Sequence, residues 1–206
     1  MKNTLLILAA SSLLTVSCKN ETKKTETTPN VVETSQETYQ VSAKGSEVSW
    51  TGYKFTEKKG VKGKFKTINV TKAPKAKTQI EAFNGVEFNI PVSSVFSNNA
   101  IRDGKLKELF FGMMDDTEFL SGSFTTSGEE IILNLKMNGT TKEIPLTYKI
   151  SDRHIKLNGK LNMLDFGAVK AYESIHKACE LLHTGADGVS KTWEEVGIEA
   201  IVFLSK

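Results

Sequence analysis

Residues 129–150 read EEIILNLKMNGTTKEIPLTYKI. Before Asn138-Gly139, the side chains of Leu133, Leu135 and Met137 share one face; after it, Ile144, Leu146, Tyr148 and Ile150 do the same. Alternation with period two marks a half-buried strand, because successive side chains point to opposite faces. Asn-Gly between two such runs is a strong hairpin signal, since both central turn positions need positive φ. The stretch predicts an antiparallel hairpin with one apolar face.

The rhythm extends in both directions. In EVSWTG, Val48, Trp50 and Gly52 share a face; in VKGKFK, Val61, Gly63 and Phe65 alternate with Lys62, Lys64 and Lys66. In GVEFNI, Val86, Phe88 and Ile90 alternate with Glu87 and Asn89. HIKLNGKLNM sets Ile155, Leu157, Gly159, Leu161 and Met163 against Lys156, Asn158, Lys160 and Asn162. The chain closes with EVGIEAIVFLS, apolar on both faces near its end. Many short strands with one polar face each predict a mainly β protein, an antiparallel barrel or sandwich.

Two stretches depart from the alternation. In KLKELFFGM, Leu106, Leu109, Phe110 and Met113 follow helical spacing, with Asp103 placed to cap the helix. In GAVKAYESIHKACELLH, Ala168, Ala171, Tyr172, Ile175, Ala178, Cys179 and Leu182 form one stripe, and Gly185 follows as a stop. Two short helices are expected.

The inferred inner face carries no charge: Trp50, Val61, Phe65, Val86, Phe88, Leu133, Leu135, Met137, Leu146, Tyr148, Leu157, Leu161 and Met163. Gly52, Gly63 and Gly159 interrupt the large side chains and are where a tunnel is expected to be widest. A barrel of about eight strands either fills itself or holds one small ligand, and the alternation leaves that choice open.

The 206 residues are 39% hydrophobic and 25% charged, an ordinary globular composition, and a formal charge of +3 does not suggest a nucleic-acid binder. The chain opens MKNTLLILAASSLLTVSCKN. A lysine, a short apolar run from Leu5 to Leu14 and small residues before a cut site describe a signal peptide, too short to span a bilayer. TVSC resembles the lipobox of bacterial lipoproteins, so residues 1–17 are expected to be removed and Cys18 acylated. The alternatives are a soluble secreted protein cut near Ser17 and a simple anchor. Residues 18–38 are rich in Thr, Glu and Lys, too polar to offset ordering entropy, and read as a tether before a domain at 39–206. With Cys18 acylated, Cys179 is left as a lone thiol.

One further run, SVFSNNAIRDGKLKELFF at 94–111, resembles a segment of the YceI-like, polyisoprenoid-binding family in which a strand ends, Arg-Asp follows, and a Leu and an aromatic pair come next. GVKGKF resembles the family's early Gly-x-Phe strand, and LKMNGTTKEIPLTYKI its hairpin. The three occur in order between about Tyr39 and Lys206. The resemblance implies a lipocalin-like antiparallel β-barrel with a long apolar lumen, binding an isoprenoid-type lipid in the cell envelope with no other cofactor. Departures fall where many members carry His or Pro: this chain has Tyr53-Lys54, Lys105 and Thr117-Glu118. The tail GADGVSKTWEEVGI resembles lipoproteins of the Bacteroidetes group. An outer-membrane-anchored lipoprotein, periplasmic or surface-facing, is the implied setting.

Three features bear on function. Arg102-Asp103 reads first as a structural corner, Asp103 capping and Arg102 in an ion pair; on the other reading Arg102 stands at the barrel mouth and meets a lipid head group. Residues 53–79 hold nine lysines against one acid, Glu57; they form a solvated strand face or a surface drawn to anionic membrane. His176, Cys179 and His183 lie at i, i+3 and i+7 of the second helix, a weak metal motif that packing also explains. With no nucleophile-and-base set in the sequence, the expected function is non-enzymatic binding of a hydrophobic small-molecule lipid. The alternative is an envelope lipoprotein with a self-filled core, docking a partner or membrane through its Lys-rich face.

Overall fold

The Asn138-Gly139 hairpin forms as its sequence requires. The computed structural model describes residues 37–206, and in it Asn138 and Gly139 have φ of 52° and 74°. They join β7 (Glu130–Met137) to β8 (Thr140–Ser151) with Met137 opposite Thr140. Asn138 does more than turn the chain. Its Oδ1 accepts from the Asp115 N–H at 2.7 Å, and its Nδ2 donates to the Phe166 carbonyl at 3.0 Å.

Around the hairpin runs one ten-stranded antiparallel sheet. The other strands are β1 (Gln40–Lys54), β2 (Lys59–Phe65), β3 (Asn69–Lys72), β4 (Glu87–Pro91), β5 (Val95–Phe96), β6 (Phe119–Ser127), β9 (His154–Asn162) and β10 (Thr192–Ser205), in the order β3-β4-β6-β7-β8-β9-β10-β1-β2-β5. The two sheet ends are close. β4 lies next to one edge and β5 forms the other, yet only Val92–Ser94 separate them in sequence. Three residues reach about 10 Å at most, so the sheet must curl until its ends meet. The result is the expected lipocalin-like barrel, closed without a continuous ladder between β3 and β5. The count exceeds the expected eight because β3 and β5 are edge pieces too short to show alternation.

The interior has two parts. At one end a solid cluster contains Phe83, Ile155 and Leu204 at 0% exposure and Val86 at 1%. Toward the other end, the strands and the helical segments surround a second, larger cluster.

The first helical segment differs from expectation in a defined way. Helix α1 (Ala100–Lys105) continues as a π-helical turn at Leu106–Phe110 and a 3₁₀ turn at Phe111–Met113. The π turn inserts a residue and shifts the inward face. Phe110 stays inside as expected, Phe111 and Met114 join it, and Met113, expected inside, is 44% exposed. The cap is Asn99, whose Oδ1 accepts from the Arg102 N–H at 2.9 Å. Asp103 instead reaches back, its Oδ1 accepting from the Ser97 N–H at 2.8 Å and the Ser97 hydroxyl at 2.6 Å.

The second helix is broken. Helix α2 (Val169–Ala178) ends at Cys179, and a separate turn, α3 (Glu180–His183), follows at a new angle set by Cys179 at φ −115°. Ala168, Ala171, Ile175 and Cys179 keep the expected stripe, while Leu182 leaves it and is 61% exposed.

Candidate binding cavity

The larger cluster encloses a cavity of about 570 Å³, within the roughly 300–1,000 Å³ typical of small-molecule sites. It is about four times the roughly 150 Å³ hole that admits a benzene, space for a chain of about twenty carbons. Its walls are apolar: Trp50 and Val61 from the β1–β2 side, Leu133, Leu135 and Met137 from β7, Leu161 from β9, and Met163 just beyond it. Phe124, Leu146, Leu157 and Ala200 mark its floor, because they also pack against the solid end cluster.

The opposite end is the mouth. It is bounded by Lys54, Asn99, Ile101, Arg102, Lys105, Leu182, His183, Thr192 and Trp193, with Ile101 76% exposed. Lys54 Nζ donates to the Leu182 carbonyl at 3.1 Å, and Lys105 Nζ to the Ala178 carbonyl at 2.7 Å, so α1 and the α2–α3 junction are tied across the opening. Among the described residues, Lys54, Arg102 and Lys105 make no ion pair with a carboxylate. The expected ion-paired Arg102 is replaced by an Arg102 on the cavity rim. Glu199, also on the wall, is neutralised by Lys156 at 2.7 Å.

His176 and His183 do meet, but on a hydroxyl. Their Nδ1 atoms lie 3.0 Å and 2.6 Å from the buried Thr192 Oγ1. A hydroxyl donates one hydrogen, so it can give to one imidazole and accept from the other. Burial, then the charges of Lys54, His176 and Lys105, push the His183 imidazole down to about 4. It is neutral at pH 7. Cys179 Sγ lies 4.0 Å from Lys105 Nζ. Among the described residues no three His, Cys, Asp or Glu side chains converge as a metal group: the two imidazoles share the Thr192 hydroxyl, and Cys179 Sγ lies beside Lys105. Among the described residues no carboxylate hydrogen-bonds either imidazole, and a third group that would orient a catalytic base is not found there.

The YceI-like domain family matches residues 39–200. The chain belongs to that family. A polyisoprenoid binding domain from Saccharophagus degradans implicated in plant cell wall breakdown superposes on this YceI-like chain with a TM-score of 0.54 at 12% identity, over 81% of this chain and 97% of the other. BcnA of Burkholderia cenocepacia gives 0.50 at 13%, over 81% and 99%. At these identities the likeness is one of fold. No curated protein matches the chain.

The YceI-like barrel places most of the expected inner face around the cavity: Trp50, Gly52, Val61, Phe65, Phe88, Leu133, Leu135, Met137, Leu146, Leu157, Leu161 and Met163, with Arg102 at the rim. Four expected lining residues do not reach it. Val86 and Tyr148 point into the solid end cluster. Gly63 is covered by the Trp50 ring, which a Cβ there would meet at 2.2 Å. Gly159 is covered by Leu146, Ile144 and Ile198, with the nearest atom 2.6 Å from a built Cβ. In both cases the missing side chain is the seat of a neighbour and not open space. At Gly52 a Cβ would meet nothing nearer than Trp50 at 3.9 Å. Trp50 Nε1 is the one buried side-chain polar atom without a partner among the described residues.

Several wall residues were not assigned from sequence: Leu120 and Phe124 on β6, and Val196 and Ile198 on β10. Their alternation was present, as Leu120-Gly122-Phe124 and Val196-Ile198-Ala200. Phe111 joins Phe110 on the wall because of the π turn. Cys18 lies outside the described residues.

Proposed function

We propose that this chain binds a long-chain amphiphile, polyisoprenoid, quinone-like or fatty, by enclosing its tail in the barrel and leaving its head at the mouth, without chemical turnover. The observation that carries the reading is the apolar cavity of about 570 Å³ with a blind floor and a cationic rim. Each methylene buried contributes about 0.8 kcal/mol, so ten give about 8 kcal/mol gross, near micromolar affinity before ordering costs. The Saccharophagus degradans domain, described as polyisoprenoid binding, supports the ligand class.

The competing reading, a self-filled barrel docking through its Lys-rich strands, has less behind it. The barrel encloses space, and Lys58, Lys64 and Lys72 are paired with Glu195, Glu47 and Glu87. For its setting we propose the cell envelope, held through an acylated Cys18; Cys18→Ala should move the protein out of the membrane fraction, and unchanged membrane content would contradict this.

Gly52→Phe tests the cavity. A Cβ at Gly52 meets nothing nearer than 3.9 Å, and the position lines the cavity, so the variant should keep its β-rich circular dichroism and lose bound lipid. Undiminished uptake by a folded variant would place the ligand elsewhere.

A further inference from the structure

Beside the cavity mouth stands a group of exposed apolar side chains that the fold does not use. Ile101 on α1 is 76% exposed, and Leu181 and Leu182 on α3 are 90% and 61% exposed. Ile101 and Leu182 both bound the opening, and Leu181 is the chain neighbour of Leu182. Scattered exposed leucines need no explanation, but a cluster rimmed by polar groups marks an interaction surface. This cluster is interleaved with Lys54, Arg102 and Lys105, which have no carboxylate partner among the described residues. Lysines of the Lys-rich strands, by contrast, are partly neutralised by Glu47, Glu87 and Glu195. Glu180 beside Leu181, and Asp187 and Glu57 in neighbouring loops, stand outside the residues that line the opening.

We infer that the mouth itself docks on an anionic bilayer, with Ile101, Leu181 and Leu182 entering the interfacial region and Lys54, Arg102 and Lys105 meeting lipid phosphates. The inference rests on the lipid-binding reading for its purpose and on the rim geometry for its evidence. Apolar insertion plus cation attraction is what holds peripheral proteins at anionic interfaces. No helix among the described residues is long and apolar enough to cross a membrane, and the rim needs only surface contact. The placement has a consequence for transfer. With its mouth on the bilayer, the barrel passes an apolar tail from membrane to lumen without exposing it to water. Lys54 and Lys105 also hold carbonyls of α3 and α2, so a phosphate that draws these ammonium groups away loosens the two helical segments at the opening.

The test places a reporter at the rim. Leu181→Trp, at a 90% exposed position, is mixed with vesicles of phosphatidylcholine carrying brominated chains, with and without about one third phosphatidylglycerol. Ile150→Trp, on an exposed position of β8 beside the solid end, serves as control. Brominated chains should quench the Leu181→Trp emission several-fold more than that of Ile150→Trp, and most strongly with phosphatidylglycerol present. Quenching no stronger than in the control would overturn the inference, whether or not the protein holds lipid. In parallel, Leu181→Glu, at an exposed position that does not line the cavity, should slow transfer of a bound fluorescent fatty acid to the anionic vesicles several-fold without changing the amount bound. An unchanged rate overturns the proposed route while leaving lipid binding intact; failure of the wild-type protein to take up the fatty acid counts against lipid binding, with the quenching result still reporting on docking.

Discussion

Protonating His183 would place a third positive charge beside Lys54 and Lys105 in a half-buried corner. Burial comes first among the reasons the folded chain resists this, and the neighbouring cations and His176 follow. The ordinary imidazole titrates at 6.5 and this one at about 4. Between those values the unfolded chain takes up a proton that the folded chain refuses. The stability at stake is therefore complete above about pH 6.5 and is lost as pH falls toward 4. Thermal melts from pH 7 to pH 4.5 should show a steeper decline for wild type than for His183→Asn. Carboxylates such as Asp187, held low by the Thr56 hydroxyl, and Glu195, held low by Lys58, are common to both proteins. Parallel declines would mean that His183 is not the group responsible. The glycines teach a related lesson at this scale. From sequence, Gly63 and Gly159 suggest room in the lumen, yet a strand glycine equally marks the close approach of a neighbour. Sequence does not separate the two, because the neighbours, Trp50 and Leu146, come from other strands.

At the scale of elements, the corner from Ser97 to Lys105 answers what Arg102-Asp103 is for. Asp103 braces the chain entering α1 and Arg102 faces the mouth. Asn99→Ala should lower stability by about 1 kcal/mol through loss of the cap. Asp103→Ala should cost about 1–3 kcal/mol, since two hydrogen bonds to Ser97 are lost together. Arg102→Ala, with no ion pair to break among the described residues, should stay within about 0.5 kcal/mol. Denaturant unfolding of the three variants checks the order, and a large loss for Arg102→Ala alone would contradict it. The hairpin around Asn138-Gly139 was fully legible, because its turn chemistry and alternation are local. The register beyond Leu106 was not. A π turn leaves no periodic mark, so Met113 was assigned inward and Phe111 was missed. The break at Cys179 hid in the same way, which is why Leu182 was read as core and is found on the rim.

For the whole molecule, the uncharged inner face is readable strand by strand, which leaves an antiparallel barrel or sandwich; the family resemblance points to the barrel. Whether that face enclosed space was not readable, because hollowness depends on the fit of side chains from strands distant in sequence. The solid cluster of Phe83, Val86, Ile155 and Leu204 lies beneath the floor of Phe124, Leu146, Leu157 and Ala200, dividing the interior into a solid end and an open one. On the proposed function, the open end holds a lipid tail. Native mass spectrometry of the purified protein, before and after organic extraction, tests it most directly. A hydrophobic adduct bound one to one and removed by extraction is expected, with the delipidated protein regaining one equivalent of a long-chain amphiphile. A bare chain that takes up no such amphiphile after delipidation would contradict it.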